Sequence, residues 1–268
     1  ILPLSPSDKG HNQFYVQGRP ELSNVGHKPG GNSSGGSGHG IHRSVYLETA
    51  PATRVAEIFA RGYPSRGEAR VIVETDAAAA TALQAEVTLL PENFEGPSFT
   101  VTQPVDLPAG AGRVEFTVKA PEASAWWPED PRLYRARVTL RDGARVVHAR
   151  DALFGFREVE LVSPTRPRPG LAEGQLLLNG QPVFVRGTSL GGSHNLAVYL
   201  GQRDYLLDLC LLVKAANFNF VRNNQHVAFP EVLELFDRLG LMNQQEQGSG
   251  YEAADHKPKP DHLAKVVA

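Results

Sequence analysis

A single cysteine, Cys210, and a single methionine, Met242, occur among the 268 residues. One cysteine excludes an intrachain disulfide, and cysteine poverty leaves the redox compartment open. Long hydrophobic runs are lacking too: none approaches the roughly 20 apolar residues that a membrane-crossing helix needs, so no membrane is expected as a partner. Neither sign of charge dominates. Lys and Arg total 27 against 29 Asp and Glu, a formal net charge of -2, which argues against nucleic acid. The chain opens Ile1-Leu-Pro, so residue 1 is read as something other than a translation start, with any targeting signal out of view.

What is present is enough apolar residue, 41%, to bury real cores, and the length suits about two domains. Residues 1–40 are rich in Gly, Ser, Asn and His, culminating in Gly30-Gly-Asn-Ser-Ser-Gly-Gly-Ser-Gly-His-Gly40. That composition predicts a flexible loop. A phosphate cradle would need a following helix, whereas Ile41 to Glu48 reads as a strand. From Arg54 to Val162 apolar and polar residues alternate in short runs, predicting eight strands: 54–60, 69–75, 82–89, 98–105, 113–119, 133–140, 144–150 and 156–162. Asp142-Gly143 marks a hairpin between the sixth and seventh. This density of strands suits an immunoglobulin-like sandwich. The Pro-rich stretch 163–174 reads as an extended linker.

At Gln175 the texture changes. Two apolar runs joined by Asn179-Gly180, which tolerate positive φ, predict a hairpin. Arg203 to Ala216 has Tyr205, Leu209, Leu212, Val213 and Ala216 at helical spacing, with Cys210 on the predicted apolar side as a small core residue. Phe218 to Arg222 is short and β-rich. Pro230 opens a second helix with Val232, Phe236 and Leu239 on one face, Gly240 ends it, and Leu241 to Glu246 reads as a strand. The order β-α-β-α-β is that of a parallel sheet with crossover helices.

Four phrases in this order, Gly155-Phe-Arg157, Leu178 to Gly187, Asn217 to Arg222 and Phe236-Asp-Arg-Leu-Gly-Leu241, together with Trp126-Trp-Pro-Glu-Asp-Pro-Arg-Leu-Tyr134, resemble glycoside hydrolase family 2, the family of β-galactosidases, β-glucuronidases and β-mannosidases. The resemblance covers roughly residues 40 to 246. It implies a multidomain β plus α/β chain: a remnant of an N-terminal sugar-binding jelly roll (1–48), an immunoglobulin-like β-sandwich (49–162), the linker (163–174) and the start of a (β/α)₈ catalytic barrel (175–268). Only 87 residues run from Pro182 to Ala268, against about 250 for a closed barrel. The expected barrel is therefore truncated after about its third strand.

Retaining glycosidases need two carboxyl groups roughly 5–5.5 Å apart. The resemblance places these glutamates on the fourth and seventh barrel strands, beyond Ala268, so no catalytic residue is assigned within the chain. The expected substrate-binding residues are Arg222, His226, Glu246, His194 and Gln225. Arg222 matches the arginine that ends the family's second strand, and its guanidinium suits carboxylates or sugar hydroxyls. Asn224 and Gln225 stand where the family has serine and histidine. His226, one residue on, is either a shifted substitute or polar surface. His194 could serve from the longer loop after Gly187, and Glu246 ends the third strand, where a barrel displays its site. Asp237 is read as structural.

Trp126 and Trp127 are read as anchors of the sandwich edge in preference to a sugar-stacking platform. The pairs His39/His42 and His256/His262 lack the converging third ligand that zinc wants, so neither metal nor cofactor is expected. The partner implied is a carbohydrate substrate. Two readings stand: a fragment of an exo-acting β-glycosidase that is inactive as this chain, and a non-catalytic carbohydrate-binding or scaffold module.

Overall fold

The computed structural model describes residues 49–190, 194, 197, 198, 201–223 and 228–245. Within them the chain forms two compact units, one ending at Val185 and the other beginning at Arg186.

The first unit contains two antiparallel sheets. Strands β1 (Thr53–Tyr63), β2 (Glu68–Ala77) and β5 (Gly110–Lys119) form one, in the order β1-β2-β5. Strands β3 (Thr81–Pro91), β4 (Phe99–Leu107), β6 (Tyr134–Asp142) and β7 (Arg145–Phe154) form the other, in the order β4-β3-β6-β7. Alternation decides which side chains go inside: Ala69, Val71 and Val73 of β2 meet Ala85, Val87, Leu89, Ala136, Val138 and Leu140 of the second sheet in one shared core. All eight expected strands are present in this unit, and Gly143 takes φ 58 in the β6–β7 turn as the Asp-Gly pair predicts. At one end Tyr134, Phe154 and Phe156 stack within 6.0 Å of one another, and Gly62 lies so close to Phe156 that an added Cβ would stand 2.6 Å from the Phe156 Cα.

The eighth strand, β8 (Val159–Leu161), pairs with β9 (Leu176–Leu178), which pairs with β10 (Gln181–Pro182) across Asn179 and Gly180 at φ 50 and 77. Both φ values are positive, as the tightest hairpin turns require. Residues 163–174, expected as an extended linker, instead connect β8 to β9. The Val162 N–H donates to the Gln175 carbonyl and the Gly174 N–H to the Val162 carbonyl, both at 2.9 Å. The prolines there shape a loop between paired strands. Arg168 reaches back to Glu160 with two hydrogen bonds.

The expectation that Trp126 is structural agrees with its burial. It is 1% exposed, its carbonyl accepts from the Asn179 amide at 2.9 Å, and the Arg157 guanidinium lies 5.0 Å from its ring. A ring so enclosed cannot stack on a sugar.

The second unit is a parallel sheet in the order β11-β12-β13, with β11 at Gly187–Ser189, β12 at Phe220–Asn223 and β13 at Met242–Gln245. Helix α1 (Arg203–Ala215) leads into β12, and α2 (Pro230–Leu239) into β13. Helix α2 starts with its proline in the first turn, where a missing N–H costs nothing, and stops at Gly240, whose φ of 72 is left-handed. Its Val232 and Phe236 are buried as expected.

Helix α1 departs in part from the expected face, which Cys210 and Val213 keep. Leu206, Cys210 and Val213 are inside, whereas Tyr205 and Leu212 are 50% and 66% exposed. A helix with leucines at 206, 207, 209, 211 and 212 carries more than one apolar stripe. Contact with Val221, Val232 and Phe236 selects which of them is covered.

Candidate functional site

The second unit brings two of the sequence phrases into one clasp. The Arg186 N–H donates to the Asn219 side-chain oxygen, and the Asn219 N–H returns a bond to the Arg186 carbonyl, both at 2.9 Å. The Arg186 Nε–H donates to the Asn217 carbonyl at 2.7 Å, which the φ of 62 at Asn217 turns toward it. The Asn219 carbonyl then accepts from Met242 at 2.9 Å. Asn219, 2% exposed, thus holds the entry points of all three parallel strands. Nothing in the polarity pattern singled it out, since its neighbours Phe218 and Phe220 make the segment read simply as alternating strand.

The clasp sets the register, and register sets the faces. Val221 is fully buried against α1 and α2, which sends Arg222, one residue on, to the opposite face. There it is exposed and stands in register with Ser189 of β11 and Gln244 of β13. This row lies at the end of the strands toward which they run, the end at which open parallel α/β sheets bind ligands. A guanidinium between a hydroxyl and an amide offers five donors in a planar fork, suited to a carboxylate or to adjacent sugar hydroxyls. The row itself contains no acid.

On the helix side the same strand ends are tied by side-chain amides. Asn223, fully buried, donates to the Asn243 side-chain oxygen at 3.1 Å, and Asn243 donates to the Val221 carbonyl at 3.0 Å. The Gln245 side chain accepts from the Ala228 N–H at 3.1 Å. Asn, Gln and Ser in this stretch read as generic polarity in the sequence, so neither Ser189 and Gln244 nor the amide ties were legible.

His194 is displaced from its expected role. It is fully buried, with its ring 6.2 Å from that of Phe236 in the core between sheet and helices. The chain after β11 turns helical at His194 and tucks the imidazole inward, so it is not displayed beside Arg222. Gln225, His226 and Glu246 lie outside the described residues, as do residues 1–48, His256 and His262. Asp237 is half-buried on α2. Cys210 is fully buried, and burial pushes its thiol up to about 12, as befits a core residue and not a nucleophile. Among the described residues no group of three or more His, Cys, Asp or Glu side chains is placed to hold a metal ion.

Residues 53–157 match the family described as glycosyl hydrolases family 2. A β-galactosidase of Klebsiella pneumoniae is 30% identical over 213 residues, which cover 75% of this chain and 20% of that protein. The fold is similar to a β-glucuronidase of Bacteroides uniformis at a TM-score of 0.59 and 20% identity, covering 81% of this chain and 26% of that one. Residues 53–157 belong to glycosyl hydrolase family 2.

A second relative, the β-galactosidase of Vibrio vulnificus strain YJ016, is 33% identical over 218 residues, 75% of this chain and 19% of that protein. A family 2 β-galacturonidase from Eisenbergiella tayi, solved bound to galacturonate, has a TM-score of 0.58 at 17% identity, covering 74% of this chain and 34% of that one. The chain spans about a fifth of the length of the curated relatives it matches. The match with the family's model falls within the sandwich unit.

Proposed function

We propose that this chain is part of a retaining, exo-acting β-glycosidase that removes terminal β-linked sugars, and that it does not hydrolyse glycosides by itself. In this reading residues 1–48 are the remnant of a jelly roll, 49–162 an immunoglobulin-like sandwich and 175–268 the first part of a (β/α)₈ barrel. The acid/base and nucleophile glutamates lie beyond Ala268. The strand orders β1-β2-β5 and β4-β3-β6-β7 favour the immunoglobulin-like arrangement, in which non-consecutive strands pair within each sheet.

The observation that carries the proposal is Arg222, exposed at the end of the central parallel strand on the face away from the helices. In a closed barrel that face is the interior, and that end is the site. Two further observations favour a barrel over an independent module. Among the described residues β11 and β13 each pair on one side only. Leu207, Leu211 and Leu212 of α1 are 39%, 44% and 66% exposed, an apolar stripe that an adjoining helix of a barrel would cover. Arg222 binds the substrate sugar, with Gln225, His226 and Glu246 as the remaining members of the site.

The test is to incubate the purified chain with nitrophenyl β-galactoside, β-glucuronide and β-mannoside. No turnover is expected, because one acidic strand end supplies at most half of the required pair. Turnover above background that Glu246→Gln abolishes would overturn the proposal.

A further inference from the structure

The outer face of the β1-β2-β5 sheet, which points away from the sandwich core, carries an arrangement that the glycosidase reading leaves unused. Its register places three rows side by side. Phe59 stands opposite Ile72 and Glu115, Arg61 opposite Arg70 and Thr117, and Tyr63 opposite Glu68 and Lys119. Like charges directly opposite one another destabilise a sheet, yet Arg61 and Arg70 occupy such a pair. Arg70 is neutralised by Glu115, and Lys119 by Glu68, which Arg66 also approaches at 3.6 Å. Glu57, two residues along on the same face, faces Arg150 at 3.8 Å.

Arg61 has no carboxylate partner among the described residues. Its guanidinium lies 5.0 Å from the centre of the Tyr63 ring, while that of Arg66 lies 3.9 Å from the same ring. Two cations thus share one aromatic ring. Contact with a ring occupies the flat side of a guanidinium and leaves its N–H fork available. Beside this pair Phe59 is 60% exposed, one side-chain repeat, about 7 Å, along the same face.

A large exposed aromatic ring next to an unmatched fork matches a ligand that presents a flat apolar surface and an anion a short distance apart. A pyranose bearing a carboxylate or sulfate does so. The backbones of β1 and β2 are already hydrogen-bonded to each other, and a peptide lying across this face could not add as a strand. Recognition there must run through side chains alone, which favours a stiff ligand whose groups repeat at fixed spacing.

We propose that this face, centred on Arg61 and bordered by Phe59, Tyr63, Arg66 and Arg70, is a binding surface for an anionic glycan. Its carboxylate or sulfate groups pair with the Arg61 fork, Arg66 beside it adds positive charge while sharing Glu68 with Lys119, and a pyranose ring stacks on Phe59. The surface goes beyond the hydrolytic reading and does not depend on it, since it lies wholly within the sandwich unit and binding is measured without turnover.

The experiment titrates the whole chain calorimetrically with oligogalacturonate and with dextran sulfate, using neutral dextran, polyglutamate and oligothymidylate as comparisons. Binding of at least one anionic glycan, weakened by salt and absent with dextran, is expected. Arg61→Ala should weaken it about tenfold or more, the scale of losing a charged hydrogen-bonding partner. Arg61→Lys should recover only part of that loss, because an ammonium lacks the fork. Phe59→Ala should weaken it several-fold at unchanged salt dependence. Both side chains are exposed, and thermal melts should show that the variants fold as the parent does. Failure of both glycans to bind overturns the proposal. So does binding that neither variant alters, or polyglutamate or oligothymidylate binding as tightly as the glycans.

Discussion

Replacing Asn219 with alanine tests whether the clasp, and not the helix layer, fixes the register that puts Arg222 beside Ser189 and Gln244. The substitution removes the oxygen that accepts from the Arg186 N–H at 2.9 Å. It leaves the two backbone bonds of Asn219 in place. Stranding a buried donor costs about 1–3 kcal/mol. Arg186 is only half-buried, so water can take part of the lost role and the expected cost is in the lower half, about 1–2 kcal/mol. Native-state hydrogen exchange reads this locally. Amides of β11, β12 and β13 should exchange about five- to thirtyfold faster, while those of β2 and β3 keep their rates. Asn217→Gly is the control: Asn217 contributes a backbone carbonyl at φ 62, which glycine adopts without strain, so exchange should not accelerate. If Asn219→Ala leaves exchange in the three strands unaltered, the side chain does not hold the sheet entry and the register has another origin.

Gly62→Ala should lower the melting temperature of the sandwich through a cost of about 1–3 kcal/mol, because the new Cβ would stand 2.6 Å from the Phe156 Cα and neither backbone can move freely. Cys210 should resist thiol reagents until the chain unfolds, since burial pushes its thiol up to about 12; rapid labelling of the native chain would contradict its placement. The two hydrogen bonds from Arg137 hold the Asp151 carboxyl below the usual range, so their contribution is present above the unfolded carboxylate value near ~4 and is lost as pH falls through the lower folded one. Arg137→Gln should flatten the acid limb of stability against pH, and an unchanged slope would refute the assignment. The parallel strands β11 and β13, each paired on one side only among the described residues, should exchange faster than β2 and β3, which are paired on both; equal protection would count against an open sheet.

The sandwich was legible because each of its strands writes its own signal locally: apolar residues every second position, and turn residues that tolerate positive φ at Gly143, Asn179 and Gly180. The bounds of α2 were legible for the same reason, with Pro230 suited to a first turn and Gly240 to a left-handed cap. What failed were matters that only contact decides. Leucine-rich α1 offers several stripes of similar hydrophobicity, and the covered one is whichever meets Val221, Val232 and Phe236. His194 read as a sugar-contacting residue on the loop after Gly187, but the helical turn it enters directs it into the core. Asn219 and Asn223 looked like ordinary polar residues because their roles depend on partners 33 and 20 positions away. The resemblance to family 2 placed Arg222 correctly at a strand end. The side chains in register with it came only from the pairing.

The division of polar residues between the two faces of the parallel sheet bears on how such a site stays rigid. Asn223, Asn243 and Gln245 spend their amides on one another, on the Val221 carbonyl and on the Ala228 N–H, all on the helix side. Their bonds fix the strand ends from behind, with Asn223 fully buried, Asn243 half-buried and Gln245 at the exposed margin. Ser189, Arg222 and Gln244, one position out of phase, stand on the face that a barrel would enclose. A two-residue period thus separates the amides that hold the rim from the groups that meet a ligand. Slipping β12 itself by one residue against β11 and β13 would turn its side chains over, leaving the Arg222 guanidinium against Val232 and Phe236. The cost of burying that charge works in the same direction as the Asn219 clasp, and both favour the register observed.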